Sequence, residues 1–366
     1  MDCATRLIPM PEAPRPAADI TPILELRDLR VHIDGDEGLV RAVDGVSFQV
    51  APGRTVGIVG ESGCGKSVTA RAILRIEDER SRIVSGSILL RRGSCAIEDL
   101  AQVAAGSKHM RAIRGREIAL IFQEPMTSFS PVHTIGSQII ETVRLAFRLD
   151  RHAARQKAIE QLQRVGTPHP EHILDQYAWE LSGGLRQRAM IAMALVCGPA
   201  LLIADEPTTA LDVTTQAQVL DLLRSLQHSS GMALILITHD LGVIAESCDD
   251  VIVMYLGQVV EHGPVDAVFH DAKHPYTRAL LQSMPNLLAK PRTRLNTLRG
   301  AVPHPLNRPA GCPFHPRCPS ALPGWCDREP PAGRAVAPGH TVSCHLYADV
   351  VAQSTDRWEA REPVRG

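Results

Sequence analysis

Eight consecutive residues combine three glycines with a lysine and a serine: Gly60-Glu61-Ser62-Gly63-Cys64-Gly65-Lys66-Ser67. This spacing fits the phosphate-loop pattern G-x-x-x-x-G-K-[ST]. The glycines allow backbone N–H groups to point inward around a phosphate. We expect Lys66 to neutralise the β- and γ-phosphates of a nucleotide and the Ser67 hydroxyl to bind Mg²⁺. Val68 then continues a predicted helix whose positive N-terminal end faces the same anion.

Two adjacent carboxylates form a second candidate group. Asp205 and Glu206 follow an apolar run, Leu201-Leu202-Ile203-Ala204, that predicts a buried strand. Beside a phosphate loop, Asp205 is placed to hold Mg²⁺ and Glu206 to polarise an attacking water as a general base. The ordinary alternative is a strand that runs into a turn at Pro207 with two solvated acids.

A third candidate group opens a predicted helix that continues to Val196. Its sequence is Leu181-Ser182-Gly183-Gly184-Leu185-Arg186-Gln187-Arg188. Ser182 is a good N-cap, and the two glycines expose backbone N–H groups at a positive helix end. The sequence therefore predicts a second anion site, with an ordinary capped helix as the alternative.

The elements around these groups indicate an α/β fold. Short apolar strands at 56–59, 118–122, 200–204, 233–238 and 251–255 alternate with helical patterns at 68–76, 186–197 and 214–227, which is typical of a mainly parallel sheet. Residues 23–50 alternate between apolar and polar, which predicts a small antiparallel sheet. Residues 135–178 carry apolar residues at helical spacing and predict a helical insertion.

Composition excludes several classes of protein. The chain has 366 residues and a formal net charge of -1, which argues against extensive electrostatic binding to nucleic acid. No apolar stretch reaches the roughly 20 residues needed to span a bilayer. Residues 1–19 are proline-rich without an apolar core, so we expect no secretory signal and a cytosolic protein with reduced cysteines.

The order of the motifs resembles that of an ABC-transporter ATPase subunit over about residues 22–265. The resemblance rests on the phosphate loop, on 181–188, on 201–207, on Ala210-Leu211-Asp212 and on Ile237-Thr238-His239-Asp240. It implies a P-loop ATPase with an antiparallel β subdomain and a helical subdomain at about 124–180. Residues 1–21 would be a disordered lead, 266–345 a C-terminal extension of the oligopeptide-transporter type, and 346–366 a polar tail.

The resemblance also implies roles for individual residues. Two such domains would dimerise head to tail, with ATP between the phosphate loop of one and the signature segment of the other, namely Leu181, Ser182, Gly183, Gly184, Arg186 and Gln187. Gln123 would sense Mg²⁺ and the attacking water, Glu206 would be the base, and His239 would contact the γ-phosphate. Asp212 would contact the opposite subunit, and Ser67, Gln123 and Asp205 would hold Mg²⁺.

Three further stretches resemble the peptide/nickel importer group: residues 122–128, residues 131–136, and His274-Pro275-Tyr276-Thr277-Arg278-Ala279-Leu280. That group implies two permease subunits, a solute-binding protein, an identical or paralogous second ATPase, and a location on the cytoplasmic face of the inner membrane. The alternatives are an ABC ATPase without a transport role and an ATP-binding regulatory subunit without turnover.

Two positions depart from the family pattern. Ile33 stands where an aromatic residue usually stacks on adenine, which predicts weaker nucleotide binding, with His32 as a candidate substitute. Leu185 stands where many members have glutamine, although importers of one subgroup carry an apolar residue there.

The C-terminal region has ten prolines and four cysteines between residues 301 and 345, the cysteines being Cys312, Cys318, Cys326 and Cys344. Such a segment needs a constraint that holds it together. The spacing matches neither zinc-finger pairs nor a ferredoxin run. The importer group suggests a [4Fe–4S] cluster, and zinc and free thiols remain as alternatives.

Overall fold

A computed structural model describes residues 21–93, 96–123, 128–209, 211–284, 298 and 300–348. The predicted lead before residue 21 and the tail beyond residue 348 lie outside these residues. So do motif residues 124–127 and residue 210.

The amino-terminal part forms an antiparallel sheet in the order β2-β1-β4-β5. Its strands are β1 (Leu24–Gly35), β2 (Gly38–Val50), β4 (Ser81–Arg92) and β5 (Ala96–Asp99). The paired strands β1 and β2 confirm the alternation predicted over residues 23–50.

The second sheet holds the predicted parallel strands. Within the described residues its order is β11-β12-β10-β9-β3-β8-β7-β6. The strands are β3 (Thr55–Val59), β6 (Ile118–Ile121), β7 (Leu201–Asp205), β8 (Ala233–Ile237), β9 (Asp250–Tyr255), β10 (Gln258–Pro264), β11 (Gly333–Ala337) and β12 (His340–Ser343). Strand β3 pairs in parallel with β8 and β9, and β7 pairs in parallel with β6 and β8.

The helices cover both faces of this sheet. They are α1 (Lys66–Ile73), α2 (Lys108–Ile113), α3 (Ile135–Phe147), α4 (Arg151–Arg164), α5 (Pro170–Asp175), α6 (Gly183–Leu195), α7 (Val213–Ser230), α8 (Leu241–Ser247), α9 (Val265–His270) and α10 (Pro275–Gln282). Short 3-10 turns lie at Leu100–Gln102, Ala178–Glu180, Pro305–Asn307, His315–Arg317 and His345–Tyr347.

Alternate residues of β7 show how the sheet divides the core. Leu202 and Ala204 pack into a cluster with the helical insertion, whereas Leu201 and Ile203 pack against the antiparallel sheet. All five residues of β7 are buried, and side chains of a strand alternate between the two faces of its sheet. Complete burial of a leucine or isoleucine contributes about 1.5–3 kcal/mol, so β7 is held firmly between the two layers.

The C-terminal region joins the main sheet. The hairpin β11–β12 pairs antiparallel with β10, where Glu261 lies opposite Val342 and His262 opposite Thr341. A further apolar cluster contains Tyr255, Tyr276 and Phe314 together with Cys312 and Cys326. The predicted α/β class with antiparallel and helical parts is thus confirmed, and the exact domain boundaries remain predictions.

Candidate functional site

The predicted site residues converge because they follow neighbouring parallel strands. The phosphate loop follows β3, Gln123 follows β6, Asp205 and Glu206 end β7, and His239 follows β8. Carboxyl ends of parallel strands lie at one edge of a sheet, where α/β proteins bind their ligands. Four segments that are far apart in sequence therefore meet at one edge.

The phosphate loop depends on glycines at two close approaches. Gly60 and Gly65 have φ angles of 154° and 100°. An added Cβ would lie 2.2 Å from the Met254 carbonyl oxygen at Gly60, and 2.3 Å from the Ala42 carbonyl oxygen at Gly65. Both contacts are to backbone, which cannot swing aside. The strands β9 and β2 thus shape the loop from outside.

Lys66 is buried at the first position of α1. Its Nζ donates to the carbonyl oxygens of Gly60 at 2.8 Å and Glu61 at 3.2 Å. Cys64 Sγ lies 3.7 Å from Nζ, and burial raises the pKa of this thiol although the lysine partly opposes the shift. Lys66 therefore supplies a positive charge inside the curve of the loop.

Asp205 offers a carboxylate oxygen for a cation. The residue is 7% exposed, and its Oδ1 is buried without a hydrogen-bond partner among the described residues. Burial, reinforced by Glu206, raises the pKa of Asp205, and a hydrogen bond from Ser67 opposes that shift. A buried oxygen without a partner beside a serine hydroxyl fits a Mg²⁺ ligand pair, since Mg²⁺ prefers oxygen ligands.

Glu206 is the centre of a polar network. Gln123 Nε2 donates to Glu206 Oε2 at 2.8 Å, and Thr209 Oγ1 donates to the same oxygen at 2.9 Å. His239 Nδ1 lies 3.4 Å from Glu206 Oε1. Three predicted residues thus come together, and Thr209 is a member that the sequence analysis missed.

The backbone of Glu206 has φ of 48°, in the left-handed region. A residue other than glycine in this region costs on the order of 1–3 kcal/mol, and such strain is concentrated at functional sites. The Glu206 N–H donates to the Ile237 carbonyl oxygen at 2.9 Å. The backbone contact to β8 holds the residue in a conformation that directs its carboxylate toward Gln123.

A cavity of about 330 Å³ lies at the phosphate loop, where Gln123 and Glu206 line it together with loop residues 62–67. Ile33 lines it, as the resemblance predicted for the base-binding side, together with Val40 of β2. Pro305 and Arg308 of the C-terminal region also line it. Neither was expected, because no local pattern marks a contact between residues about 270 positions apart.

Arg308 is fixed at the rim of this cavity. Its Nη1 lies 2.8 Å from Asp44 Oδ2, and both side chains are largely buried. Burial lowers the pKa of Arg308 and the Asp44 charge opposes that shift. Arg308 and the apolar Ile33 line the same cavity, and a guanidinium plane is a group on which an aromatic base can stack.

The signature segment lies apart from this cavity. Ser182 caps α6 by accepting a hydrogen bond from Leu185 N at 3.4 Å, and both Ser182 and Gly183 are exposed. Gln187 is buried and donates to the Pro207 carbonyl oxygen at 2.6 Å. Arg186 donates to the carbonyl oxygens of Ala178 and Leu181. Arg186 and Gln187 therefore anchor the segment to its own chain.

Asp212 begins helix α7. Its carboxylate accepts hydrogen bonds from Thr215 N at 2.9 Å and Thr215 Oγ1 at 2.7 Å. These bonds lower the pKa of Asp212. The next residue, Val213, is 84% exposed, so the segment that the resemblance assigned to subunit contact presents an apolar side chain at the surface.

The four C-terminal cysteines come from one compact region. Cys312, Cys326 and Cys344 are buried, and burial raises the pKa of Cys312 to about 12 and that of Cys344 to about 11. Within the part of the chain that the structure describes, no three His, Cys, Asp or Glu side chains are arranged to hold a metal ion. The geometry gives no support to the expected iron–sulfur or zinc site.

None of the helices in the described ranges is long and apolar enough to cross a membrane.

Two models of known protein families match this chain, and one of them covers most of the site. The family model described as "ABC transporter" matches residues 43–209, and the one described as "Oligopeptide/dipeptide transporter, C-terminal region" matches residues 260–326. The first range contains the phosphate loop, the signature segment and Glu206. The chain belongs to the ABC transporter family, as one of its ATP-binding proteins.

Three relatives match nearly their whole length. A probable peptide ABC transporter ATP-binding protein of Sinorhizobium fredii is 48% identical over 92% of this chain and 98% of its own. The dipeptide transport ATP-binding protein DppD of Escherichia coli is 45% identical over 91% and 99%. The oligopeptide transport ATP-binding protein AppD of Bacillus subtilis is 46% identical over 91% and 99%.

Solved structures share the fold. The dimeric bacterial ABC transporter cassette MJ0796 superposes with a TM-score of 0.58, at 24% identity, over 66% of this chain and 98% of its own. The CbiO1 protein of Clostridium perfringens, part of an ABC transporter complex, gives a TM-score of 0.56 at 26% identity, over 68% and 91%.

Proposed function

We propose that this chain is the ATP-hydrolysing subunit of an importer that takes up dipeptides, oligopeptides or related small solutes. One observation carries the proposal. Gln123, Glu206 and His239, which follow three different strands, meet within hydrogen-bonding or ion-pairing distance at the edge that holds the phosphate loop. Such an arrangement serves hydrolysis, and the names of the relatives support peptide uptake.

Each residue has a separate task in the proposed reaction. Lys66 and the loop N–H groups bind the β- and γ-phosphates, which places the γ-phosphorus before Glu206. Glu206 accepts a proton from the attacking water, and Gln123 and Thr209 hold its carboxylate in place. His239 lies beside Oε1, the other carboxylate oxygen of Glu206. It contacts the γ-phosphate as the bond to the leaving oxygen breaks.

Magnesium fits the residues beside the phosphate loop. Ser67 supplies a hydroxyl oxygen and Asp205 a buried carboxylate oxygen without a protein partner in the described residues. Gln123 completes the set named from the sequence. The ion supplies charge neutralisation of the phosphate oxygens.

A second copy or a paralogous ATPase completes the site in this proposal. The N-terminal end of α6 exposes Ser182 and Gly183 to solvent, and its N–H groups favour an anion there. Residues 181–188 do not line the cavity around the phosphate loop within the described chain. The signature segment is therefore free to bind the nucleotide held by a partner subunit, and Asp212 lies beside that interface.

Permease subunits have an apolar groove in which to dock. A cavity of about 260 Å³ is lined by residues of β6 and α6 and by neighbouring segments. Most of its side chains are apolar, including Leu74, Phe122, Met190 and Met193. Phe122 is 39% exposed there and is followed by Gln123. A helix of a permease seated in this groove would contact the residue next to the hydrolytic network. The location would be the cytoplasmic face of the inner membrane.

Reconstitution tests the proposal. The chain is co-expressed with the permeases, the solute-binding protein and the second ATPase of a peptide importer, and ATP-dependent uptake of a labelled dipeptide into vesicles is measured. Glu206→Gln in the same complex is the matched control. ATP hydrolysis without association with the permeases would favour a non-transport ABC ATPase, and ATP binding without hydrolysis would favour the regulatory alternative.

The iron–sulfur cluster suggested by the four cysteines is a separate hypothesis, and no step above depends on it. Three of the thiols are buried, which is compatible with a cluster, with zinc and with free thiols alike. Anaerobically purified protein is assayed for iron, acid-labile sulfide, zinc and broad visible absorption. Protein that contains none of these has free thiols.

A further inference from the structure

The phosphate loop contains an acid that pairs with the C-terminal region. Arg317 Nη1 lies 2.7 Å from Glu61 Oε2, and Arg317 Nη2 lies 3.0 Å from Glu61 Oε1. The arginine side chain is 5% exposed and the glutamate side chain 23% exposed. A two-pronged arginine–carboxylate pair of this kind fixes orientation as well as distance.

The arginine is itself held firmly. It ends the short turn His315–Arg317, and its Nη1 donates to Tyr255 Oη at 3.3 Å. Phe314 is 1% exposed and packs edge-on against Tyr255 and obliquely against Tyr276, with ring centroids 5.3 Å away in each case. Buried aromatic contacts leave Arg317 little freedom to move away from Glu61.

A second hydrogen bond links the C-terminal region to the backbone of the phosphate loop. The Glu61 N–H donates to Tyr276 Oη at 2.9 Å. Tyr276 is placed by His274, whose Nδ1 accepts a hydrogen bond from Tyr276 N at 3.0 Å. The C-terminal region therefore holds both the side chain and the main chain of the second loop residue.

The negative charge of Glu61 explains why its pairing with Arg317 affects nucleotide binding. Lys66 Nζ contacts the Glu61 carbonyl oxygen at 3.2 Å, so Glu61 is a direct neighbour of the lysine that neutralises phosphate. An unpaired carboxylate there would repel phosphate and compete for that lysine, since opposite charges attract strongly where water is partly excluded. The pair with Arg317 directs the carboxylate away from the anion site.

We infer that Arg317 is a positioning residue for ATP: it holds Glu61 so that the phosphate loop and Lys66 remain available to the nucleotide. The inference rests on the proposed ATPase function and adds the C-terminal region to the nucleotide site. Loss of the pair acts on nucleotide affinity and leaves the hydrolytic step, centred on Glu206, unchanged.

The test compares three full-length variants with the wild type by equilibrium binding of a fluorescent ATP analogue and by ATPase kinetics. Arg317→Ala raises the Kd for ATP about tenfold, within the usual range of coupling between sites, with kcat at saturating ATP within twofold. Adding Glu61→Gln to Arg317→Ala restores the Kd to within about threefold of wild type, because the freed charge is gone. Arg328→Ala, an exposed arginine of the same segment, leaves both unchanged.

Rescue by the second substitution separates positioning from packing, because lost packing on Tyr255 and Phe314 would not be restored by a change at Glu61. Melting curves without nucleotide check that each variant is folded. If Arg317→Ala does not fold, Arg317→Lys takes its place and is expected to weaken binding severalfold. Unchanged Kd in a folded Arg317 variant, or a double variant no better than the single one, overturns the inference. Wild-type protein that binds no ATP overturns the proposed function instead.

Discussion

The phosphate loop and the signature segment both present backbone N–H groups before a helix, yet they are built differently. The loop bends through positive-φ glycines pressed against Met254 and Ala42. Its Ser67 hydrogen-bonds to Asp205, and Glu206 of the same chain lines its cavity. The signature segment has ordinary helical glycines and an exposed first turn. The first region gathers the proposed hydrolytic residues within one chain, whereas the second, in our proposal, binds the nucleotide held by a partner subunit.

The largest expected effect concerns the chemistry at the first region. Glu206→Gln removes the proton acceptor and keeps the hydrogen bonds from Gln123 and Thr209. General-base catalysis contributes about 10²–10⁴-fold, so we expect kcat to fall at least a hundredfold with ATP binding retained. Phosphate release from radiolabelled ATP measures the change, and Glu246→Gln, at an exposed residue that pairs with Arg224 and does not line the cavity, is the control. A tenth or more of wild-type activity would show that another group accepts the proton.

The second prediction compares a glycine of the phosphate loop with a glycine of the signature segment. Gly65→Ala puts a Cβ against the Ala42 carbonyl oxygen at φ of 100°, so we expect ATP affinity to fall at least tenfold through strain in the loop. Gly183→Ala meets only Leu211 Cδ2 at 3.7 Å, which is ordinary contact.

Binding to single chains and hydrolysis at dimer-forming concentration are measured for both variants. Gly183→Ala should bind ATP as wild type does and hydrolyse it more slowly, since a methyl group then lies in the interface. Equal loss of single-chain binding in the two variants would contradict the division drawn between the regions.

A smaller effect concerns the base-binding side of the cavity. Arg308→Ala removes the guanidinium beside Ile33, and cation–π contacts contribute about 0.5–2 kcal/mol, so we expect the Kd for ATP to rise threefold to tenfold. Ile33→Tyr should lower it, since stacking on a base is worth about 1–3 kcal/mol. Binding of inorganic tripolyphosphate, which has no base, should be unchanged in both. A parallel loss of tripolyphosphate binding would assign Arg308 to the phosphates.

The smallest effect is expected in the signature segment. Leu185 is half-buried and packs against the apolar cluster of the helical part. Leu185→Gln loses some of this packing, so we expect the free energy of unfolding to fall by about 1 kcal/mol and hydrolysis to change less than threefold. Denaturant titration measures the first quantity. A tenfold change in hydrolysis would show that this side chain contacts the partner's nucleotide.

Local sequence patterns predicted the functional residues that belong to short motifs. The glycines of the loop, the acids at the end of β7 and the cap at Ser182 each leave a mark within a few residues. Thr209 was missed because a threonine three residues after Glu206 has many ordinary uses. Arg308 and Arg317 left no mark, since their ion pairs with Asp44 and Glu61 cross more than 250 positions and depend on how the C-terminal region folds back.

The strand order was also beyond local patterns. Alternation of strands and helices predicted a parallel sheet, but it does not state that β3 lies between β8 and β9. The order of the strands depends on which arrangement of the whole sheet and its helices buries the most apolar surface. The spacing of the cysteines left a cluster, zinc and free thiols open, and burial alone distinguishes none of them.

The hairpin at residues 333–343 has a practical consequence for shortened versions of the chain. It covers the outer edge of β10, and its His340 Nε2 lies 2.8 Å from Oε1 of Glu261, which is fully buried. A chain cut after α9 would expose a sheet edge that invites pairing with other molecules, and a buried carboxylate without its histidine. A fragment that ends near residue 270 is therefore not expected to stay dispersed in solution.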